Sequence, residues 1–426
     1  MMEEIVDGIK KAVLLEKSGV KKVFTPHTPV KTYQNLIGRA DLSQQLIQCL
    51  ISTGRHALLY GDRGVGKSSL ANASTDLIIK KIYKGDVFKK SCDSTDKFSS
   101  LFEQPLRKAG VNIELLQSSN ETELGAEGGA SLKYPGLEAQ GKVSARKKQS
   151  ATIKYDYNIE SPSWVGSKIK DLNCLIVIDE FDAIKKIDEK YKVAELIKYL
   201  SDNSESVTIL LVGIAKSAVE LTSGHPSVRR CLLELHVGRM SELELKKILL
   251  DGSQKLGLIF QDDVINEIVS ISAGYPYFTH LIALKCAEEA IASGRKHINI
   301  KNLKECLSLA VEEAESTMKD AYYNSIRGKY SAENKNVLLA ASKCSSHEFN
   351  VNEISNQLFV LLRIQVPPKD FTRFMQASTC EEGKKIFRRI RQGVYQFTDP
   401  RMPSFIRMLS ETPDKEEAQQ KDYVEG

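Results

Sequence analysis

The sequence predicts an α/β fold. A parallel β-sheet is covered by helices on both faces, and a helical region and a smaller C-terminal region of short helices and a hairpin follow it. Three observations predict this. HALLY (56–60), LIVID (175–179) and TILLVG (208–213) are apolar throughout, as strands buried on both faces are. Segments of helical periodicity separate them. The strand signals stop after about Arg239, and 426 residues are too many for one core.

In chain order, MMEEIVDGIKKAVLLEKSG has apolar residues at helical spacing, so residues 1–22 are expected to form an N-terminal helix and tail. KKVFTPHTPVKTYQNL, with its Thr and Pro, reads as extended. A helix follows near 40–53, then the strand 56–60 and a glycine loop, then helix 67–83 and strand 87–92. A Ser/Thr/Asp cluster opens a helix over 94–109. Residues 111–163, rich in Gly, Ser, Glu and Lys, read as an insertion, either a long hairpin or disordered. Strand 175–179, helix 191–200 and strand 208–213 complete the sheet region. Residues 241–292 are helical, with breaks at GLIFQDD and AGYP. Helices are expected at 331–342, 351–362 and 368–376, then a hairpin in RRIRQGVYQFTDP. The charged tail 411–426 is expected to be disordered, and there is no internal repeat.

The composition, 42% hydrophobic and 27% charged with net charge +5, argues against disordered and fibrous classes and permits an acidic partner. No apolar run reaches the roughly 20 residues of a membrane helix. The N-terminus lacks the pattern of a secretory signal. The eight cysteines include no CxxC and no Cys/His cluster. A reduced, cytoplasmic protein without a membrane partner is the expectation.

The chemistry concentrates in YGDRGVGKSSL. Gly61, Asp62, Arg63, Gly64, Val65, Gly66, Lys67 and Ser68 fit GxxxxGK[ST] in full, between a predicted strand and a predicted helix. Glycines let the backbone curl with its N–H groups inward, forming an anion nest, and the helix N-terminus adds its positive end. Lys67 would reach the β- and γ-phosphates of a nucleotide, with Ser69 beside the loop, and Ser68 would ligate Mg²⁺. IVIDE (176–180) ends a buried strand in two carboxylates. Asp179 would hold the metal, and Glu180 would orient or deprotonate the attacking water.

The glycine loop, the Asp179–Glu180 pair, IGRADL (37–42) and the order of elements resemble the AAA+ ATPases, most nearly the origin-recognition (Orc1/Cdc6-like) branch and its bacterial relatives, over about residues 23–292. The resemblance implies a P-loop NTPase domain at 23–238 and a helical lid at 239–326. A winged-helix-like domain would follow at 327–410. ATP over GTP rests on it, and Val30, Ile37 and Gly38 are the implied adenine contacts. Lys216 stands where relatives carry a polar γ-phosphate sensor. Arg229 or Arg230, at the end of an expected helix, matches the arginine finger of a neighbouring subunit, which makes the active form a homo-oligomer. Tyr277, after Gly274-Tyr-Pro, departs from the arginine that the lid of relatives supplies there.

EGKKIFRRIRQG places Lys384, Lys385, Arg388, Arg389 and Arg391 at the expected wing, where they would contact DNA phosphates. Winged helices also dock proteins. The insertion carries Arg146, Lys147 and Lys148, free to meet DNA or a partner. Two functions therefore stand. One is an oligomeric ATPase that couples nucleotide state to DNA binding or remodelling. The other is a slow nucleotide-state switch acting on a protein partner, as in defence or mobile-element settings.

Overall fold

The computed structural model describes residues 2–82, 84–113, 158–215, 217–222, 228–328, 330–344, 346–365, 368–380 and 385–412. The chain begins with helices α1 (Met2–Ser18), α2 (Val20–Val23) and α3 (Ala40–Leu50). The sheet region runs β1 (His56–Gly61), α4 (Lys67–Lys81), β2 (Asp86–Ser91), α5 (Phe98–Leu101), α6 (Glu103–Lys108), α7 (Pro162–Ile169), β3 (Cys174–Asp179), α8 (Ile187–Asn203), β4 (Val207–Ile214), α9 (Ala218–Thr222) and β5 (Leu232–His236). Next come α10 (Glu242–Leu256), β6 (Ile259–Phe260), α11 (Asp262–Ser272), α12 (Pro276–Ala292), β7 (His297–Ile298), α13 (Ile300–Glu313) and α14 (Ser316–Ile326). The last stretch holds α15 (Ser331–Ser342), β8 (Phe349–Asn350), α16 (Val351–Leu362), α17 (Pro368–Cys380), β9 (Phe387–Arg391), β10 (Val394–Phe397) and α18 (Met402–Ser410).

The chain divides into two compact units. One comprises residues 48–59 and 83–235, the other residues 1–47, 60–82 and 236–426. The first contains the five-stranded sheet, in the order β2-β3-β4-β1-β5. β2 pairs with β3, and β3 with β4, in parallel. Leu175 to Ile178 and Ile209 to Val212 are all buried, as the uninterrupted apolar runs require. β2 lies at the sheet edge and is half exposed. His56 is fully buried in β1, where its Nδ1 accepts the Ile209 N–H at 3.0 Å.

The second unit holds the N-terminal helices, the end of β1 with the loop after it, α4, and the C-terminal helices. α10 is opened by a capping box, in which Ser241 and Glu244 bond each other's backbone N–H. Asn299 and Asn350 open α13 and α16 in the same way, with Asn302 and Glu353 as partners. β8, β10 and β9 form a small antiparallel sheet over Phe349, Phe387 and Phe397, whose ring centroids lie 4.7–5.5 Å apart. α18 buries Met402, Phe405, Ile406, Met408 and Leu409.

Most predicted elements form within a few residues of their expected limits. Three readings change. The single helix expected at 94–109 is two short ones that begin at Phe98, because Asp93 and Asp96 spend their oxygens on local turns. Leu232 to His236, to which the sequence reading assigns no element, is strand β5, which completes the sheet. Strand structure does not stop after Arg239, since β6 and β7 form a two-residue parallel pair and β8 joins the last hairpin. Nearly all of the 111–163 insertion, with Arg146, Lys147 and Lys148, and the tail from 413 on lie outside the described residues.

Candidate functional site

The glycine loop lies in the unit with the C-terminal helices. β1 ends at Gly61, where φ is 149° and an added Cβ would sit 2.3 Å from the Val237 carbonyl oxygen. No other residue fits there. Gly64, at φ 80°, is approached less closely, by a side chain: a Cβ would meet Arg401 Cδ at 2.9 Å. Lys67, the first residue of α4, is buried, and its Nζ donates to the Gly61 and Asp62 carbonyls at 3.1 and 2.7 Å. The ammonium is thus folded back over the curl of its own loop.

Segments distant in sequence brace this loop. Ser69 Oγ accepts the Val30 N–H at 3.1 Å, so one expected adenine contact is tied to the loop. Gly38 and Arg39 are both left-handed, at φ 71° and 61°. Arg39 donates through one guanidinium nitrogen to the Val65 carbonyl (3.2 Å) and to the Gly238 carbonyl. Its own N–H goes to Glu244 Oε1 at 2.8 Å. Burial pulls the Arg39 guanidinium below its ordinary pKa, and the Glu244 carboxylate opposes that.

Tyr275, which caps α12, is fully buried. Its Oη donates to Asp62 Oδ2 at 3.3 Å and accepts from Arg239 Nε at 3.1 Å, and the Arg239 guanidinium lies 4.7 Å from its ring centroid. Burial, first, pushes the phenol pKa up. The same guanidinium meets His347 Nδ1 at 2.8 Å. A second line runs through Glu315. It sits 3.5 Å from Arg63 and takes both terminal nitrogens of Arg401 at 2.6 and 3.0 Å. Arg401 also bonds Asp399, and it is the largest fully buried side chain among the described residues. Its guanidinium lies 5.9 Å from the ring of Tyr277. Arginines do approach both tyrosines of the Gly-Tyr-Pro-Tyr turn, but from residues 239 and 401.

The acidic pair lies in the other unit. β3 ends at Asp179, and Glu180 follows at a left-handed φ of 56° with its N–H on Asp179 Oδ1 at 2.8 Å. Ser91, the last residue of β2, is opposite Asp179 in register and donates from Oγ to Glu180 Oε2 at 2.7 Å. Asp182 takes the Ile214 N–H at the end of β4. Lys216 is outside the described residues. Arg229 and Arg230 lie in an exposed turn just before β5, rather than closing a described helix, and Arg230 pairs with Asp202 at 2.7 Å.

Of the basic strip, Lys385, Arg388, Arg389 and Arg391 are exposed on or beside β9, an edge strand, and Lys384 is outside the described residues. Arg388 donates to Gln396 Oε1 at 3.1 Å. Among the described residues no His/Cys/Asp/Glu cluster could hold a metal by itself, and no helix is long and apolar enough to cross a membrane.

Sequence reasoning singled out the loop and the acidic pair, and did not single out Ser91, Arg39, Tyr275, Glu315 or Arg401, which the structure places in contact with them. Ser91 had a usable signal, because parallel register with a strand ending in Asp179 puts the end of β2 beside it. Nothing in the sequence near Arg401 marks it as buried.

A family described as Novel STAND NTPase 1 matches residues 30–290, well over half of the chain. No curated protein matches. Among solved structures the chain is similar to a Walker-type ATPase of Pyrococcus abyssi, at 17% identity and TM-score 0.47 over 89% of this chain and 99% of that one. It is similar to the ORC2 protein of Aeropyrum pernix, at 13% and 0.48 over 92% and 96%. A third is the Aeropyrum pernix ORC1 protein in complex with DNA, at 15% and 0.43 over 90% and 94%.

Proposed function

This chain belongs to the Novel STAND NTPase 1 family, and on that premise we propose that it is a Mg²⁺-dependent ATPase whose nucleotide state is read by its own C-terminal helices, as a switch acting on a protein partner. The packing of Tyr275, Glu315 and Arg401 against residues 62–64 of the glycine loop carries the reading. A ligand that moves the loop must move those contacts, and they belong to the helical region and to α18.

The residues present fit the ligand. Positive-φ glycines leave a cradle that no Cβ fills, a helix N-terminus follows it, and a lysine ammonium lies folded over it. The Ser68 hydroxyl and the Asp179 carboxylate are of the hard oxygen type that Mg²⁺ takes, and on this reading they would hold it. When bound, Mg²⁺ supplies neutralisation of charge on the β- and γ-phosphates. On this reading Lys67 exchanges its carbonyl partners for phosphate oxygens, and Val30, Ile37 and Gly38 line the adenine. Glu180 orients the attacking water and takes its proton, with Ser91 fixing one of its oxygens. Lys216 would stand near the γ-phosphate. Arg229 or Arg230 would complete the site of a neighbouring copy, so the active form is a homo-oligomer.

A second reading, DNA handling through a winged-helix-like region at 327–410, is favoured by the exposed cations Lys385, Arg388, Arg389 and Arg391. Steady-state ATP hydrolysis with and without duplex DNA at two salt concentrations separates the readings. The switch predicts tight ATP binding that Lys67→Ala removes, with slow turnover that DNA leaves unchanged. Turnover that DNA stimulates in a salt-sensitive way, and that Glu180→Gln abolishes, would replace it with the second reading.

A further inference from the structure

We propose that Arg39 is a positioning residue that holds the glycine loop in its anion-binding curl and fixes the loop to the root of the helical region. The proposal rests on the nucleotide-binding reading above. A loop that turns its N–H groups inward must turn carbonyls outward, and outward carbonyls of a tight loop have no helix or strand to bond them. Arg39 supplies a charged donor to one of them, Val65, in the middle of the curl. The same nitrogen holds the Gly238 carbonyl, just beyond β5. The loop and the start of the helical region are therefore clamped to one atom.

The backbone of Arg39 is built for the task at a cost. A left-handed φ of 61° at a non-glycine residue is strained and persists only where the surroundings enforce it. Glu244 enforces it by taking the Arg39 N–H, while its other oxygen closes the capping box at Ser241. Gly38 is open to no other residue, since a Cβ there would meet Glu244 Oε1 at 2.7 Å. The pair Gly38–Arg39 thus links three things: the glycine loop, the β5 exit and the first turn of α10.

Both side-chain bonds leave one nitrogen, so a point donor is sufficient. Lysine should therefore rescue in part, although it fails where arginine acts as a fork. The test compares wild type with Arg39→Gln, Arg39→Lys, Glu244→Ala and Lys67→Ala. Nucleotide-free proteins are assayed by thermal unfolding and by amide hydrogen exchange over residues 61–68. ATP affinity is then measured by calorimetry.

Arg39→Gln is expected to exchange faster over residues 61–68 without nucleotide and to bind ATP at least about tenfold more weakly, with Arg39→Lys intermediate. Wild-type exchange and affinity in Arg39→Gln, beside a defective Lys67→Ala, overturn the positioning role and leave the nucleotide reading standing. Wild-type affinity in Lys67→Ala overturns the nucleotide reading beneath both. If Arg39→Gln does not fold, Glu244→Ala and Arg39→Lys decide: weakened ATP binding with faster loop exchange in Glu244→Ala supports the role, and wild-type behaviour in both overturns it.

Discussion

Lowering the pH should destabilise the sheet-containing unit through His56. This imidazole is fully buried in β1, its Nδ1 accepts the Ile209 N–H, and its Nε2 has no hydrogen-bond partner among the described residues. Burial lowers its pKa from 6.5 to about 4. A depressed pKa means that the folded state holds the neutral ring. The stabilisation is present above the unfolded pKa, is lost progressively as pH falls below 6.5, and is gone once pH passes the folded value. The linkage relation gives a loss of about 2 kcal/mol between pH 7 and pH 5 from this one residue. That is a large share of the stability of a typical domain. Trp164, the only tryptophan, lies in the same unit, so its fluorescence reports on that unit during urea unfolding. His56→Asn keeps an acceptor for Ile209 and cannot titrate. Wild type should lose about 2 kcal/mol more than His56→Asn between pH 7 and pH 5. Equal losses in the two proteins would falsify the argument that the ring is held neutral by burial.

Three further outcomes follow from the geometry. Glu180→Gln should lower kcat about 10²- to 10⁴-fold with nucleotide affinity retained, and Ser91→Ala should lower kcat less, because it frees an oxygen of Glu180 without removing it; single-turnover hydrolysis and equilibrium binding separate the two effects. Gly64→Ala should weaken ATP binding about tenfold, from its positive φ and its collision with Arg401, and the added change Arg401→Ala should recover part of that loss in calorimetry. If the exposed strand β9 binds duplex DNA, Arg388→Ala with Arg389→Ala should reduce the slope of log affinity against log salt by about 2, and an unchanged slope removes those two side chains from any phosphate contact.

Much of this protein is legible in its sequence, for local reasons. The loop from Gly61 to Ser68 is contiguous, and each residue acts through its own backbone freedom or reach. β3 declares itself because a strand buried on both faces has no polar positions until Asp179 and Glu180 end it. β5 is less legible, since CLLEL is a short, mostly apolar run with one acid in it, a pattern that helix and short strand share. The capping boxes at Ser241, Asn299 and Asn350 are likewise written within four residues of chain.

The sequence by itself determined the α/β class, the loop and its following helix, and the acidic strand end, because those depend on neighbours a few residues apart. Only tertiary structure decided what presses on the loop. Arg39, Tyr275, Glu315 and Arg401 reach residues 62–65 from sequence separations of 26 to more than 300, and nothing local marks an arginine as the largest fully buried side chain among the described residues. Burying a charge is costly unless partners meet it; Asp399 is a neighbour of Arg401 in the chain, but its other partner, Glu315, stands 86 residues away and is supplied by folding alone.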